Sequence, residues 1–147
     1  PEGAAFDGGF CLLFFILVTK CSDIGAYSLG SLIGRHKMIP KVSPGKTWEG
    51  FAGAILLSTA VALVIAHYLG ETKLGGMTLT HAAVLGPLMA IGAVVGDLVE
   101  SVFKRDSGVK DSGSFFPGIG GILDLLDSLL FNAPLMFLYL RLVLFND

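Results

Sequence analysis

Charge is what this sequence lacks. Only 15% of its 147 residues are Asp, Glu, Lys or Arg, against 53% hydrophobic, a balance that excludes an ordinary soluble domain of this size. Cysteine is scarce too: Cys11 and Cys21 are the two present, which excludes a disulfide framework. On one helix they would stand about 15 Å apart along the axis, too far to bridge, so both are expected to be free thiols. No CxxC or Cys/His spacing suggests a zinc site. Net charge is -2, so no nucleic-acid partner is expected. The opening "PEGAAFDGGF" lacks the basic segment of a cleavable signal, and its abrupt start suggests part of a longer chain.

Long apolar runs are abundant. Residues 50–69, "GFAGAILLSTAVALVIAHYL", and 74–96, "LGGMTLTHAAVLGPLMAIGAVVG", contain no Asp, Glu, Lys or Arg. About 20 such residues cross the hydrocarbon core as a helix. Pro87 lies inside the second run, where neighbouring helices can satisfy the freed backbone. Two further segments are less clean. A helix over about 8–33 must carry Lys20, Ser22 and Asp23 near its middle, and 122–145 carries Asp124, Asp127 and Arg141. The predicted architecture is all-α, a polytopic membrane bundle of about four transmembrane helices, with residues 1–147 as one unit.

Basic residues fall in alternate loops, Arg35, Lys37, Lys41 and Lys46 in one and Lys104, Arg105 and Lys110 in another. The positive-inside rule puts both on the cytoplasmic side. An ionisable residue at membrane depth is expensive and faces a bundle interior or a water-filled cavity, which makes each intramembrane acid a functional candidate.

Three stretches could carry chemistry. In "GDLVESVFK" a helix places Asp97, Glu100, Ser101 and Lys104 on one face, as a polar stripe or as a span end with an ordinary Glu100–Lys104 pair. In "KDSGSFFPGIGGILDLLD" a glycine-rich loop precedes Asp124 and Asp127, three residues apart. Such a pair can share a hard cation such as Mg²⁺ while loop amides meet phosphate; it can equally be acids complementing a helix dipole. The loop "GRHKMIPKVSPGKTWE" gathers cations and hydroxyls that could hold an anion or anchor the interface. It is not a P-loop, because Pro40 stands where that motif needs Gly. His36, His67 and His81 are scattered and read as interfacial.

The run "SVFKRDSGVKDSGSFFPGIGGILDLLD" resembles the signature of the phosphatidate cytidylyltransferase family, also called CDP-diglyceride synthetases. "SDIGAYSLGSLIGRHKMIPKVSPGKTWEGFAGA" and "GDLVES" resemble the family's preceding segments, so the likeness covers roughly residues 20–135. It implies transfer of a cytidylyl group from CTP to phosphatidic acid, with Mg²⁺ required and K⁺ associated. It further implies a multi-pass protein of the cell (inner) membrane whose active site faces the cytoplasm; a homodimer is one assembly compatible with it. By motif position Asp111, Asp124 and Asp127 would be the metal-site acids, with Lys110, Lys104 and Arg105 supporting phosphate charge. Asp23, Lys41, Ser43, Lys46, Thr47, Asp97 and Glu100, with Gly118, Gly120 and Gly121, are carried as nucleotide, substrate or supporting positions. Ile119 stands where the signature has His, and Leu125 where it has Arg. A CTP-dependent polyprenol-type kinase, a cation-coupled transporter and a catalytically silent subunit are the competing readings.

Overall fold

The computed structural model describes residues 6–106 and 122–145, with side chains in the second segment described from Ser128 onward. Helix α1 (Gly8–Ile33) leads through a short hairpin, β1 (Lys37–Ile39) and β2 (Ser43–Thr47), into α2 (Trp48–Lys73). Helix α3 (Leu79–Asp106) and then α4 (Ile122–Tyr139) follow, and α4 ends in a π-helical turn, Leu140–Leu144. Helices α1, α2 and α3 are each long and apolar enough to cross a membrane. The fourth apolar helical stretch is shorter, Ser128–Leu144.

Local chemistry fixes the helix starts. Asp7 caps α1 by accepting a hydrogen bond from Gly9 N at 2.9 Å. Thr47 caps α2 through Gly50 N at 3.1 Å, with Glu49 in the first turn and Lys73 in the last to complement the dipole. Helix α3 starts at Leu79, five residues beyond the start of the apolar run at 74. The intervening turn uses Gly75 and Gly76 at positive φ (63° and 82°), a region side chains avoid.

Packing follows membrane logic. The buried positions of α2 are Gly50, Gly53, Ala54, Ser58, Ala62, Ala66 and Gly70, all small, while Leu56, Val64 and Tyr68 point outward. Lipid is as apolar as leucine, so helices there gain by close backbone approach at small residues. At the α1–α2 crossing a Cβ on Gly25 would strike the Gly53 carbonyl, and one on Gly53 would sit 2.5 Å from Gly25 O. Between α2 and α3, a Cβ on Gly86 would sit 2.5 Å from Thr59 Cα. The apolar core gathers Phe14, Val18, Leu85, Met89 and Met136. One polar node crosses it: fully buried Asn132 donates from Nδ2 to Thr19 Oγ1 (3.1 Å) and Met89 O (2.9 Å), joining α1, α3 and α4.

The bundle is all-α as expected, with one short hairpin between α1 and α2. Pro40 enters a turn closed by Val42 N to Ile39 O at 3.2 Å, and the strands pair Lys37 with Thr47 and Ile39 with Ser43. Four residues of β2 span what two of β1 span, an irregularity that accommodates Pro44, which has no N–H to give the ladder.

Two substitutions test this packing. Gly53→Leu is expected to destabilise the bundle by at least ~1–3 kcal/mol, because the α1 backbone cannot yield to a side chain. Asn132→Ala is expected to cost about 1–3 kcal/mol through the interhelical bonds it removes. Thermal unfolding in detergent measures both, and unchanged midpoints would refute the close contact and the polar node.

Candidate functional site

The C-terminal halves of α1 and α3, the N-terminus of α2 and the hairpin enclose a cavity of about 250 Å³. Helix α1 contributes Ser22, Asp23 and Tyr27, and α3 contributes Asp97. Strand β2 contributes Ser43, Lys46 and Thr47. The amide end of α2, at Gly50 and Phe51, forms part of the wall and carries the positive end of a 26-residue helix dipole.

Charges in this cavity are paired across elements. Lys46 Nζ lies 2.6 Å from Asp97 Oδ2, tying the hairpin to α3 across 51 residues of sequence. The Lys46 side chain is 20% exposed and the Asp97 side chain 38%, so the pair is screened by solvent only in part. On the α1 side, Asp23 Oδ2 accepts from Lys20 Nζ at 3.4 Å and from Ser128 Oγ of α4 at 3.2 Å. Ser22 Oγ is buried in the cavity wall and has no hydrogen-bond partner among the described residues. Among those residues no three His, Cys, Asp or Glu side chains form a metal-holding group.

The positions singled out in the sequence divide accordingly. Asp23, Ser43, Lys46, Thr47 and Asp97, from four separate segments of sequence, meet at one cavity. Thr47 is buried and its hydroxyl is committed to the α2 cap. Glu100 and Lys104 lie one and two turns beyond Asp97, outside the cavity wall, and form the i,i+4 pair at 2.6 Å. Lys41, at the hairpin turn, and Arg105, at the end of α3, are exposed and outside the cavity. Lys110, Asp111, Gly118, Gly120 and Gly121, with Ile119, lie outside the described residues. Asp124, Leu125 and Asp127 fall on the first two turns of α4, and their side chains are outside the description.

The histidines sit away from the cavity. His36 Nδ1 meets Glu49 Oε1 at 2.6 Å and closes the hairpin base onto α2, while His81 pairs with Tyr139 at 3.0 Å. Reading the sequence missed Tyr27 and Ser128. Tyr27 stands one turn after Asp23, and Ser128 stands one turn before Asn132 in an otherwise apolar run. The polar-stripe logic that exposed Asp97 and Glu100 would have found both.

A bundle of membrane-length helices with acids and a lysine gathered at one polar end defines an integral multi-pass membrane protein with a half-buried charged site. Residues 2–143 match the cytidylyltransferase family, and the chain belongs to that family. It is 41% identical over 129 residues to a phosphatidate cytidylyltransferase of Haemophilus influenzae, a match covering 88% of this chain and 45% of that protein. It is 43% identical over 134 residues to the uncharacterised Escherichia coli protein YnbB, covering 91% of this chain and 43% of YnbB. The chain thus spans less than half the length of these relatives. A solved intramembrane enzyme for archaeal membrane lipid biosynthesis shares the fold, with a TM-score of 0.62 at 23% identity over 86% of this chain and 75% of that one.

The Lys46–Asp97 pair is open to measurement. A double-mutant cycle of Lys46→Met and Asp97→Asn, read by thermal unfolding, is expected to give a coupling of about 1 kcal/mol. A coupling indistinguishable from zero would show that the two side chains do not act on each other.

Proposed function

We propose that this chain carries the catalytic portion of an enzyme that transfers a cytidylyl group from CTP to phosphatidic acid, giving CDP-diacylglycerol and pyrophosphate. The observation that carries the reading is the cavity in which Lys46, Asp97 and Asp23 meet the amide end of α2 at one polar end of a membrane bundle. The relative from Haemophilus influenzae, which bears that enzyme's name, supports it.

The chemistry makes modest demands on nucleophile activation. An oxygen of the lipid phosphate attacks the α-phosphorus of CTP, a new P–O bond forms, and the bond to the β-phosphate oxygen breaks with its electrons leaving on pyrophosphate. Both reactants are polyanions, so positioning and charge neutralisation supply the acceleration, and no Ser or Cys nucleophile is needed. Lys46 exchanges Asp97 for nucleotide phosphate, and the positive end of the α2 dipole in the cavity wall favours the anion. A site set between headgroup and hydrocarbon lets soluble CTP meet a lipid that stays in the bilayer.

The donor set fits a hard divalent cation. Asp23 and Asp97 offer carboxylate oxygens to one space, and Mg²⁺ binds through one or two carboxylates together with substrate phosphate. By motif position Asp111, Asp124 and Asp127 would hold the metal with Asp23 and Asp97 supporting it, and Lys104, Arg105 and Lys110 would balance phosphate charge. Such a cation would polarise the α-phosphate and steady the leaving group, and K⁺ would be an associated second cation. The basic residues at this end support a site facing the cytoplasm from the cell membrane, and assembly as a homodimer is compatible with it.

The full-length protein in detergent, given Mg²⁺, phosphatidic acid and labelled CTP, tests the reading. CDP-diacylglycerol and pyrophosphate are expected from the wild type, and Asp124→Asn is expected to lower turnover about 100-fold. CDP together with a phosphorylated lipid would instead identify a kinase, and turnover unchanged in Asp124→Asn would remove the metal role of that acid.

A further inference from the structure

We infer that Ser128 and Lys20 are positioning residues that set the Asp23 carboxylate in the cavity, an inference that rests on the proposed reading of the site. Three contacts carry it. Ser128 Oγ donates to Asp23 Oδ2 at 3.2 Å, and Lys20 Nζ reaches the same oxygen at 3.4 Å. Lys20 Nζ also reaches Ser128 Oγ, at 3.5 Å. Both hydrogen bonds to Asp23 from the described side chains fall on Oδ2, which leaves Oδ1 as the acceptor available to a ligand in the cavity.

The placement is built into two helices. Asp23 and Lys20 are three apart on α1, so their contact fixes nothing beyond their own helix. Ser128 lies 105 residues away on α4 and is fully buried, so its hydroxyl cannot turn to bulk water for a partner. One turn along, Asn132 of α4 holds Thr19 of α1 at 3.1 Å, and both are fully buried. Residues 19 and 23 on α1 thus pair with 132 and 128 on α4 in reverse order, two rungs of a ladder between antiparallel helices. The Asn132 rung sits in the apolar core and bears on packing. The Ser128 rung ends on a carboxylate in the cavity wall, where it selects the side-chain orientation of Asp23.

The two rungs therefore separate in experiment. Full-length wild type, Ser128→Ala, Ser128→Thr and Asn132→Ala are compared in detergent with Mg²⁺. The readouts are equilibrium binding of a non-hydrolysable α,β-methylene analogue of CTP, turnover of CTP with phosphatidic acid, and the unfolding midpoint. Ser128→Ala is expected to weaken analogue binding about tenfold and to lower kcat, with a midpoint close to wild type. Ser128→Thr, which keeps the hydroxyl, is expected to restore binding to within about twofold. Asn132→Ala is expected to lower the midpoint while the protein that remains folded binds the analogue as wild type does. Wild-type binding by Ser128→Ala, or equal weakening in Asn132→Ala, would overturn the positioning role. A wild type that neither binds the analogue nor turns over CTP would instead overturn the proposed reaction.

Discussion

A carboxylate carried to membrane depth must find a cation or a hydrogen-bond donor, because the alternative is an ion stripped of water in a medium that cannot replace it. Three acids at the polar end of this bundle meet that demand with a lysine each: Asp23 with Lys20, Asp97 with Lys46 and Glu100 with Lys104. Two of the pairs lie within a single helix. The third, between β2 and α3, bridges separate elements and so constrains where the hairpin can sit. The hairpin has only three and five residues per strand, too little pairing to be stable alone. Its position rests on the ion pair, on the Thr47 cap that begins α2 and on the His36–Glu49 contact at its base.

The small residues of α2 make those pairings reachable. An ammonium and a carboxylate can span only a few ångströms, so the backbones bearing them must come close. Gly25 against Gly53 and Gly86 against Thr59 bring both α1 and α3 against α2 at contact distance. Larger residues there would separate the helices that carry Asp23 and Asp97 and would widen the cavity between them. Apolar close packing and the charged site are thus one design seen at two depths.

Much of this was legible in the sequence, for physical reasons. Uninterrupted apolar runs announce spans because no other solution satisfies a backbone in lipid, and the expected helix over 8–33 coincides with α1. The start of α3 was misjudged because Leu74 and Met77 are as apolar as a helix interior; Gly75 and Gly76 turn the chain there instead. The hairpin escaped notice since Pro40, Pro44 and Gly45 argue against strands, and its strands are held by tertiary contacts more than by propensity. In the site, polarity out of place marked Asp23 and Asp97, whereas Ser128 was overlooked because a lone serine is common in membrane helices. That its partner is Asp23, 105 residues earlier, is a fact of packing that spacing cannot express.

Pairing Asp23 and Asp97 has a consequence for any anionic ligand. Among the described residues, Lys46 pairs with Asp97 and Lys20 with Asp23, so an entering anion meets cations that already have partners. A nucleoside triphosphate brings several negative charges into a region of low dielectric, where unbalanced charge is costly. Taking Lys46 away from Asp97 does not solve this, because it exposes a carboxylate to the same anion. The cheaper exchange is one in which phosphate takes the lysine while a cation arriving with the nucleotide takes the carboxylate. On the proposed reading, a divalent metal answers this pairing of Asp23 and Asp97 with lysines as well as the chemistry at phosphorus.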